Sequence, residues 1–328
     1  MEIGCNVVPF GDQTLEEVLE YLDGLGAEAV ELGSGGVLGQ DFLPRDEYLD
    51  NPDKQAELHQ TLDDYGFHIS ALSTHDNPLH PDEEKAEQSD TDLRESIRLA
   101  DQLDVDVVCA FSGLPAGGPD DNVPNWITAP WPSEHNEAWR WQWEEKTVPY
   151  WQEIGDLAAE HDVKIGIEMH PNMMIYEPTG LIDLREETNE YIGANLDPSQ
   201  LFWHGVDIPE TIRYLGEHDA IHHFHAKDSK LNEPVSKLKG VQDPKMYTKE
   251  PERSWLFRTI GYGHGEQYWK NIVSELRMAG YDGTLSVEHE DSLTSTREGI
   301  EKSMDVLNRA VFETEPGEAF WAEGSLNE

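Results

Sequence analysis

The chain has 328 residues and a formal net charge of −44, from 67 Asp and Glu against 23 Lys and Arg. That balance argues against nucleic acid as a partner, because phosphate binding releases counterions through Lys and Arg, while ten Trp, eleven Tyr and nine Phe argue for a packed core rather than acidic disorder. The carboxylates are spread through pieces such as "HPDEEKAEQSDTDLRE" and "RAVFETEPGE", the distribution of a protein kept soluble where salt screens self-repulsion, so a halophilic cytoplasmic host is expected.

The N-terminal "MEIGCNVVPF" has neither a basic stretch nor a long apolar one, so no signal peptide is expected. No run approaches the roughly 18 apolar residues of a membrane helix, and no membrane partner is expected. Cys5 and Cys109 sit in apolar strand-like runs without a CxxC pair and read as buried, inert thiols.

In chain order, short β-rich runs alternate with segments of helical period. Strands are expected at 2–8, 28–32, 68–73, 106–111, 163–169, 191–196, 220–225 and 284–288. Helices are expected at 15–25, 52–65, 90–103, 137–161, 181–187, 209–215, 266–279 and 297–312. The first helix shows the logic: Leu15, Val18, Leu19 and Leu22 share one face, and Gly24 and Gly26 mark its end. Eight such units in about 310 residues match an α/β single domain, a (β/α)8 TIM barrel over 1–312, with a C-terminal acidic tail at 313–328 docked by Phe320 and Trp321. A doubly wound sheet would carry a glycine-rich phosphate loop after its first strand, where this chain reads "VVPFGDQT".

Two connections are long, those after strands 4 and 7, at 112–136 and 227–265. Trp126, Trp131, Trp255 and Phe257 predict that both are packed lids. The second also gathers Lys227, Lys230, Lys237, Lys239, Lys245, Lys249, Arg253 and Arg258 in an otherwise acidic chain.

Four residues with metal-binding side chains end successive apolar runs: Glu168 in "KIGIEMHP", Asp197 in "IGANLDPS", His225 in "IHHFHAKD" and Glu288 in "GTLSVEHED". The first three are 29 and 28 residues apart, about one strand-plus-helix unit, so the barrel brings their strand ends to one point. Three carboxylates and an imidazole suit one divalent ion, Mn²⁺, Mg²⁺ or Co²⁺ above all, with Zn²⁺ open. His223, two residues below His225, reads as a core or supporting histidine.

The longer stretches "VELGSGG", "ALSTHDNPLHP", "PNWITAPWP", "IEMHP", "NLDPSQLFWHGVD", "FHAKD", "RSWLFRTIGYGHG" and "GYDGTLSVEHED" resemble the sugar phosphate isomerase/epimerase family, the xylose-isomerase-like TIM barrels. The resemblance spans Met1 to Leu307. It implies that Glu168, Asp197, His225 and Glu288 are the metal ligands. It also implies that Glu168 and Glu288 exchange the substrate proton, and that His170 meets a substrate hydroxyl. Members commonly carry His where this chain has Gln200 and Gln where it has His204, so a proton relay at position 200 would pass to His204 only if that ring reaches the pocket. Substrate contacts are further expected from His75, Lys227, Arg258 and Trp126, with flat ring faces also from Trp131 and Trp203. Lys227, Arg258 and the "GYGHG" backbone are candidates for an anion site.

The expected activity is metal-dependent isomerisation or epimerisation of a ketose or keto-inositol, by proton transfer next to a carbonyl through an enediolate. Expulsion of a β-hydroxyl from the same enediolate, a dehydratase or lyase reaction, is the alternative. An AP-endonuclease-like repair enzyme of the same superfold is disfavoured by the charge, and a non-catalytic sugar-binding protein by the full ligand set. The sequence leaves a homo-oligomer open.

Overall fold

Alternation along short strands sends one side chain toward the helices and the next toward the barrel axis. In the computed structural model, which describes residues 1–314 and Gly317, this builds a closed parallel barrel. Its strands are β1 (Glu2–Asn6), β2 (Ala29–Gly33), β3 (His68–Ser73), β4 (Val107–Phe111), β5 (Lys164–Glu168), β6 (Ile192–Leu196), β7 (Ile221–Ala226) and β10 (Thr284–Val287). Two further strands, β8 (Asp228–Leu231) and β9 (Trp255–Arg258), form an antiparallel hairpin outside the barrel. The order β1-β10-β7-β6-β5-β4-β3-β2 closes through the β1–β2 ladder. Each barrel strand lies within two residues of its expected bounds.

The apolar core lies between strands and helices. Ile3, Val30, Leu72, Val108, Ile165, Ile167, Leu196 and Phe224 are buried against Leu19, Leu62, Ile97, Trp151, Ile212 and Trp269. The lumen is polar instead: Asn6, Glu31, Ser73, Glu168, Asn195, His223, His225 and Ser286 are all buried. Barrel interiors are ordinarily filled by Val, Ile and Leu, so this layer marks where stability gives way to chemistry. Cys5 and Cys109 are fully buried, and burial pushes both thiols up.

Helix ends carry their own signals. Thr14 and Glu17 form a capping box at the start of Leu15–Asp23. Gly66 closes Pro52–Tyr65 in the left-handed conformation. The expected helix at 90–103 starts earlier, at Glu83, because "EEKAEQ" forms largely exposed turns whose single apolar residue, Ala86, shows no period. The expected helix at 137–161 is interrupted. An α-helix, Ser133–Trp141, passes through a π-turn, Gln142–Thr147, into Val148–His161. That turn aims buried Gln142 at the loop after β4, where its amide donates to the carbonyls of Ala116 (2.8 Å) and Asn125 (2.7 Å).

The two long connections behave differently. The second folds as the β8–β9 hairpin with a short helix, Glu233–Lys239, and Trp255 is buried within it. The first is held at its base by Gln142, but Trp131 is 83% exposed and packs nothing down, contrary to the expectation from its aromatic content. The basic excess is largely consumed internally: Lys237 pairs with Glu233, Lys239 with Asp243 and Lys245 with Glu252. Phe320 and Trp321 lie outside the described residues. Among the described residues no helix is long and apolar enough to cross a membrane.

Candidate metal centre

The C-terminal ends of four barrel strands set the site. Glu168 is the last residue of β5 and His225 the penultimate residue of β7, while Asp197 and Glu288 directly follow β6 and β10. One ligand atom from each lies within 4.8 Å of the others. His225 Nδ1 stands 3.0 Å from Glu288 Oε2 and 3.4 Å from Glu168 Oε2. Asp197 is held by its own helix start: as N-cap of Pro198–Phe202 it accepts from Ser199 N–H (2.8 Å) and Ser199 Oγ (2.9 Å).

Three carboxylates this close need positive charge. Lys227, buried, supplies some, with Nζ 2.9 Å from Glu288 Oε2, 3.4 Å from Asp197 Oδ2 and 2.6 Å from Glu290 Oε2. Its own ammonium is held well above the usual lysine range, since Glu288, Glu290 and Asp197 outweigh burial. Burial, helped by Glu168 and Glu288, pushes Asp197 up to about 7 even with Lys227 beside it. Burial also acts on Glu168, but the neighbouring His225 and His75 rings outweigh it and hold that carboxyl well below its usual range. Against burial, Lys227 and His225 pull Glu288 down to about 2. His225 is driven well above the ordinary histidine range, because Glu31 and Glu288 overcome the cost of burying its charge.

A divalent ion fits this arrangement. The donors are hard carboxylate oxygens and one imidazole. Glu288 Oε2 is buried and, though 2.9 Å from Lys227, makes no aligned hydrogen bond. A proton on His225 Nδ1 occupies the position an ion would take.

Around this centre, His75 brings Nε2 to 3.0 Å from Glu168 Oε2 without an aligned hydrogen bond, and its ring packs edge-on to Phe111 at 4.6 Å. Burial lowers the pKa of His170, which favours its neutral form. Its Nδ1–H donates to Pro171 O (2.7 Å), which leaves Nε2 free to accept. Gln200 is buried and donates to Glu168 Oε1 at 3.2 Å, so position 200 holds the carboxylate rather than relaying its proton. His204 meets Tyr176 and Trp203 and lines, with Trp126, Thr128, Pro171, Val241 and Gln242, a cavity of about 120 Å³ between the two lids. The indole N–H groups of Trp126 and Trp203 have no partner there.

The anion site expected from Lys227, Arg258 and "GYGHG" does not assemble. The backbone N–H groups of Gly261, Gly263 and His264 converge on Asp228 Oδ2, at 3.3, 3.1 and 2.8 Å, so the protein's own carboxylate fills the nest. Arg258 is engaged by Asp291 at 3.0 Å.

One residue escaped the sequence reading. Glu31, in the middle of β2, is fully buried below the centre and takes hydrogen bonds from Asn6, Ser73, His223, His225 and Ser286. A lone Glu in "AVELG" gives no hint of it, because every partner is remote in sequence.

A sequence profile described as xylose isomerase-like TIM barrel matches residues 19–310. The chain belongs to the xylose isomerase-like TIM barrel family. Protein YfiH of Bacillus subtilis (strain 168) is 36% identical over 305 residues, covering 92% of this chain and 96% of that one. Among solved structures, the probable 3-DHS dehydratase AsbF of Bacillus anthracis superposes with a TM-score of 0.65 at 17% identity, covering 94% of this chain and 99% of its own. A D-tagatose 3-epimerase-like protein does so with a TM-score of 0.64 at 20% identity, covering 94% and 97%. At these identities the superpositions speak for the fold.

Proposed function

We propose that this xylose isomerase-like barrel is a divalent-metal-dependent isomerase or epimerase of a ketose or keto-inositol, with Glu168 and Glu288 as the proton-transfer pair. The observation that carries the reading is the convergence of Glu168, Asp197, His225 and Glu288 within 4.8 Å at the C-terminal mouth of the barrel. A divalent ion there would polarise the substrate carbonyl and neighbouring hydroxyl and offset the negative charge that develops.

The protein groups do the rest. Glu168, fixed by Gln200 on one oxygen and faced by His75 on the other, takes the proton from the carbon next to the carbonyl. In an epimerisation Glu288 takes up a proton from solvent and delivers it to the opposite face, while Glu168 gives the abstracted proton up to solvent; in an isomerisation one carboxylate carries the abstracted proton to the adjacent carbon. Both carboxyls are held ionised, as a base requires. His170 Nε2 accepts a substrate hydroxyl, and Trp126, Trp203 and His204 offer ring faces and N–H donors to the rest of the sugar. Lys227 keeps a positive charge beside Glu288 and the substrate oxygens.

A dehydratase is the second reading, favoured by Lys227 itself. Its ammonium, 2.9 Å from Glu288, is a protonated group beside the ligand carboxylates that could serve as the acid for a departing β-hydroxyl. Product analysis separates the two. Metal-loaded protein is incubated with free ketoses, keto-inositols and sugar phosphates. An epimer or isomer of equal mass supports the first reading; loss of water overturns it in favour of the second.

A further inference from the structure

Glu31 is 0% exposed in the middle of a strand, and a carboxylate in that position is costly unless every oxygen is satisfied. It has five donors. Oε1 accepts from Asn6 Nδ2 (3.1 Å), from the Ser73 hydroxyl and from His225 Nε2 (2.9 Å). Oε2 accepts from His223 Nε2 (3.1 Å) and Ser286 Oγ (2.6 Å). Strand β2 is hydrogen-bonded only to β1 and β3, so this side chain reaches β7 and β10 across the lumen. Glu31, Cys109, His223 and His225 form a second group with metal-binding atoms close together. The five donors already use the Glu31 lone pairs, however, and the thiol is fully buried, so this lower group is a hydrogen-bonded platform and not a second ion site.

The consequence falls on His225. Its Nε2 faces Glu31 and its Nδ1 faces Glu168 and Glu288. Glu31 accepts but cannot donate, so Nε2 keeps its proton, and the proton an ion displaces is the one on Nδ1, the nitrogen that faces the ligand carboxylates; the Asn195 amide nitrogen, 3.1–3.2 Å from both ring nitrogens, does not distinguish them. We infer that Glu31 is a positioning residue of the metal centre: it selects the Nδ1 ligand form of His225 and holds the ring at the mouth of the barrel. The inference rests on the metal-centre reading above and adds a residue that neither the spacing of the ligands nor their strand ends reveals. The physical pattern is a carboxylate behind a metal-bound imidazole, where loss of the outer partner lowers ion affinity about 10–100-fold.

The test uses metal-stripped full-length protein and Mn²⁺ titrations followed by calorimetry. Glu31→Gln, which keeps size and removes charge, is expected to weaken Mn²⁺ binding by about 10–100-fold with the melting transition retained. A folded Glu31→Gln protein that binds Mn²⁺ as the parent does overturns the inference while leaving the metal centre standing. A parent protein that takes up no ion overturns both. Should the variant fail to fold, ¹⁵N-labelled parent protein loaded with ¹¹³Cd²⁺ decides: scalar coupling from cadmium to His225 Nδ1, with a proton on Nε2, is the expected spectrum, and coupling to Nε2 overturns it.

Discussion

At the scale of single residues, the candidate ligands include groups basic enough to hold protons near neutral pH. Against burial, Glu31 and Glu288 hold His225 well above its ordinary range, and burial, helped by Glu168 and Glu288, pushes Asp197 up to about 7. An ion bound to these groups must displace those protons. The sign follows: a raised pKa means the proton is held more tightly, so metal affinity falls as pH falls and each ion releases protons at neutral pH. Calorimetry in buffers of different ionisation enthalpy should show that release, together with an affinity that rises as pH is raised through about 7, where Asp197 loses its proton, and keeps rising above it while His225 holds its own. A pH-independent affinity without proton release would contradict the electrostatic picture. The residues that converge here were legible because each ends an apolar run, the first three at a spacing of one strand–helix unit. Glu31 was not legible, because its donors come from positions 6, 73, 223, 225 and 286 and only the closed barrel assembles them. Gln200, which looked like a lost proton relay, is understandable only when its amide is seen against Glu168.

At the scale of elements, the connection after β7 is anchored by Asp228. Its fully buried carboxylate accepts from the backbone of Ser229, Gly261, Gly263 and His264 and from the His264 ring. Gly261 needs its left-handed φ of 91°, and a Cβ on Gly263 would meet Asp228 Oδ1 and Ser229 O at 2.4 Å. Asp228→Ala strands the buried Ser229 N–H and the part-buried donors of Gly261, Gly263 and His264 and is expected to cost about 1–3 kcal/mol. Gly263→Ala should destabilise by a smaller amount in the same direction. Chemical denaturation checks both, and a stability equal to the parent's in either variant would remove the anchor. The glycine-rich segment was visible in sequence as an anion cradle, but its anion proved to be internal, 33 to 36 residues away. Lid packing was partly legible: Trp255 is buried as its ring suggested, whereas Trp131 is exposed, since aromatic content alone does not say which ring finds a surface. Helix starts failed where polar turns precede the apolar stripe, as at Glu83.

At the scale of the whole molecule, the formal charge of −44 over one barrel means carboxylates repel across the entire surface. The halophilic reading therefore predicts that thermal stability rises when KCl is raised from about 0.1 to 2 M, as the Debye length shrinks to a few ångströms. A melting temperature that is flat or falls over that range would contradict it. The barrel itself was readable end to end, because eight β-rich runs alternate with helical segments, several of which, such as Leu15–Asp23, bury a clear apolar stripe. The polar lumen was not, since a strand such as "IGANL" or "AVELG" carries its inward polar residue singly and the ring of them forms only on closure.

The measurement that bears most directly on the central claim is solvent deuterium incorporation by NMR, with Mn²⁺-loaded protein in multimolar KCl and the ketose and keto-inositol panel. The account predicts deuterium at the carbon next to the carbonyl with the parent protein. It also predicts a loss of at least about 10²-fold in that exchange with Glu168→Gln or Glu288→Gln, both still folded. Exchange that persists at the parental rate in both variants would contradict the account, as would its absence from the metal-loaded parent across the whole panel.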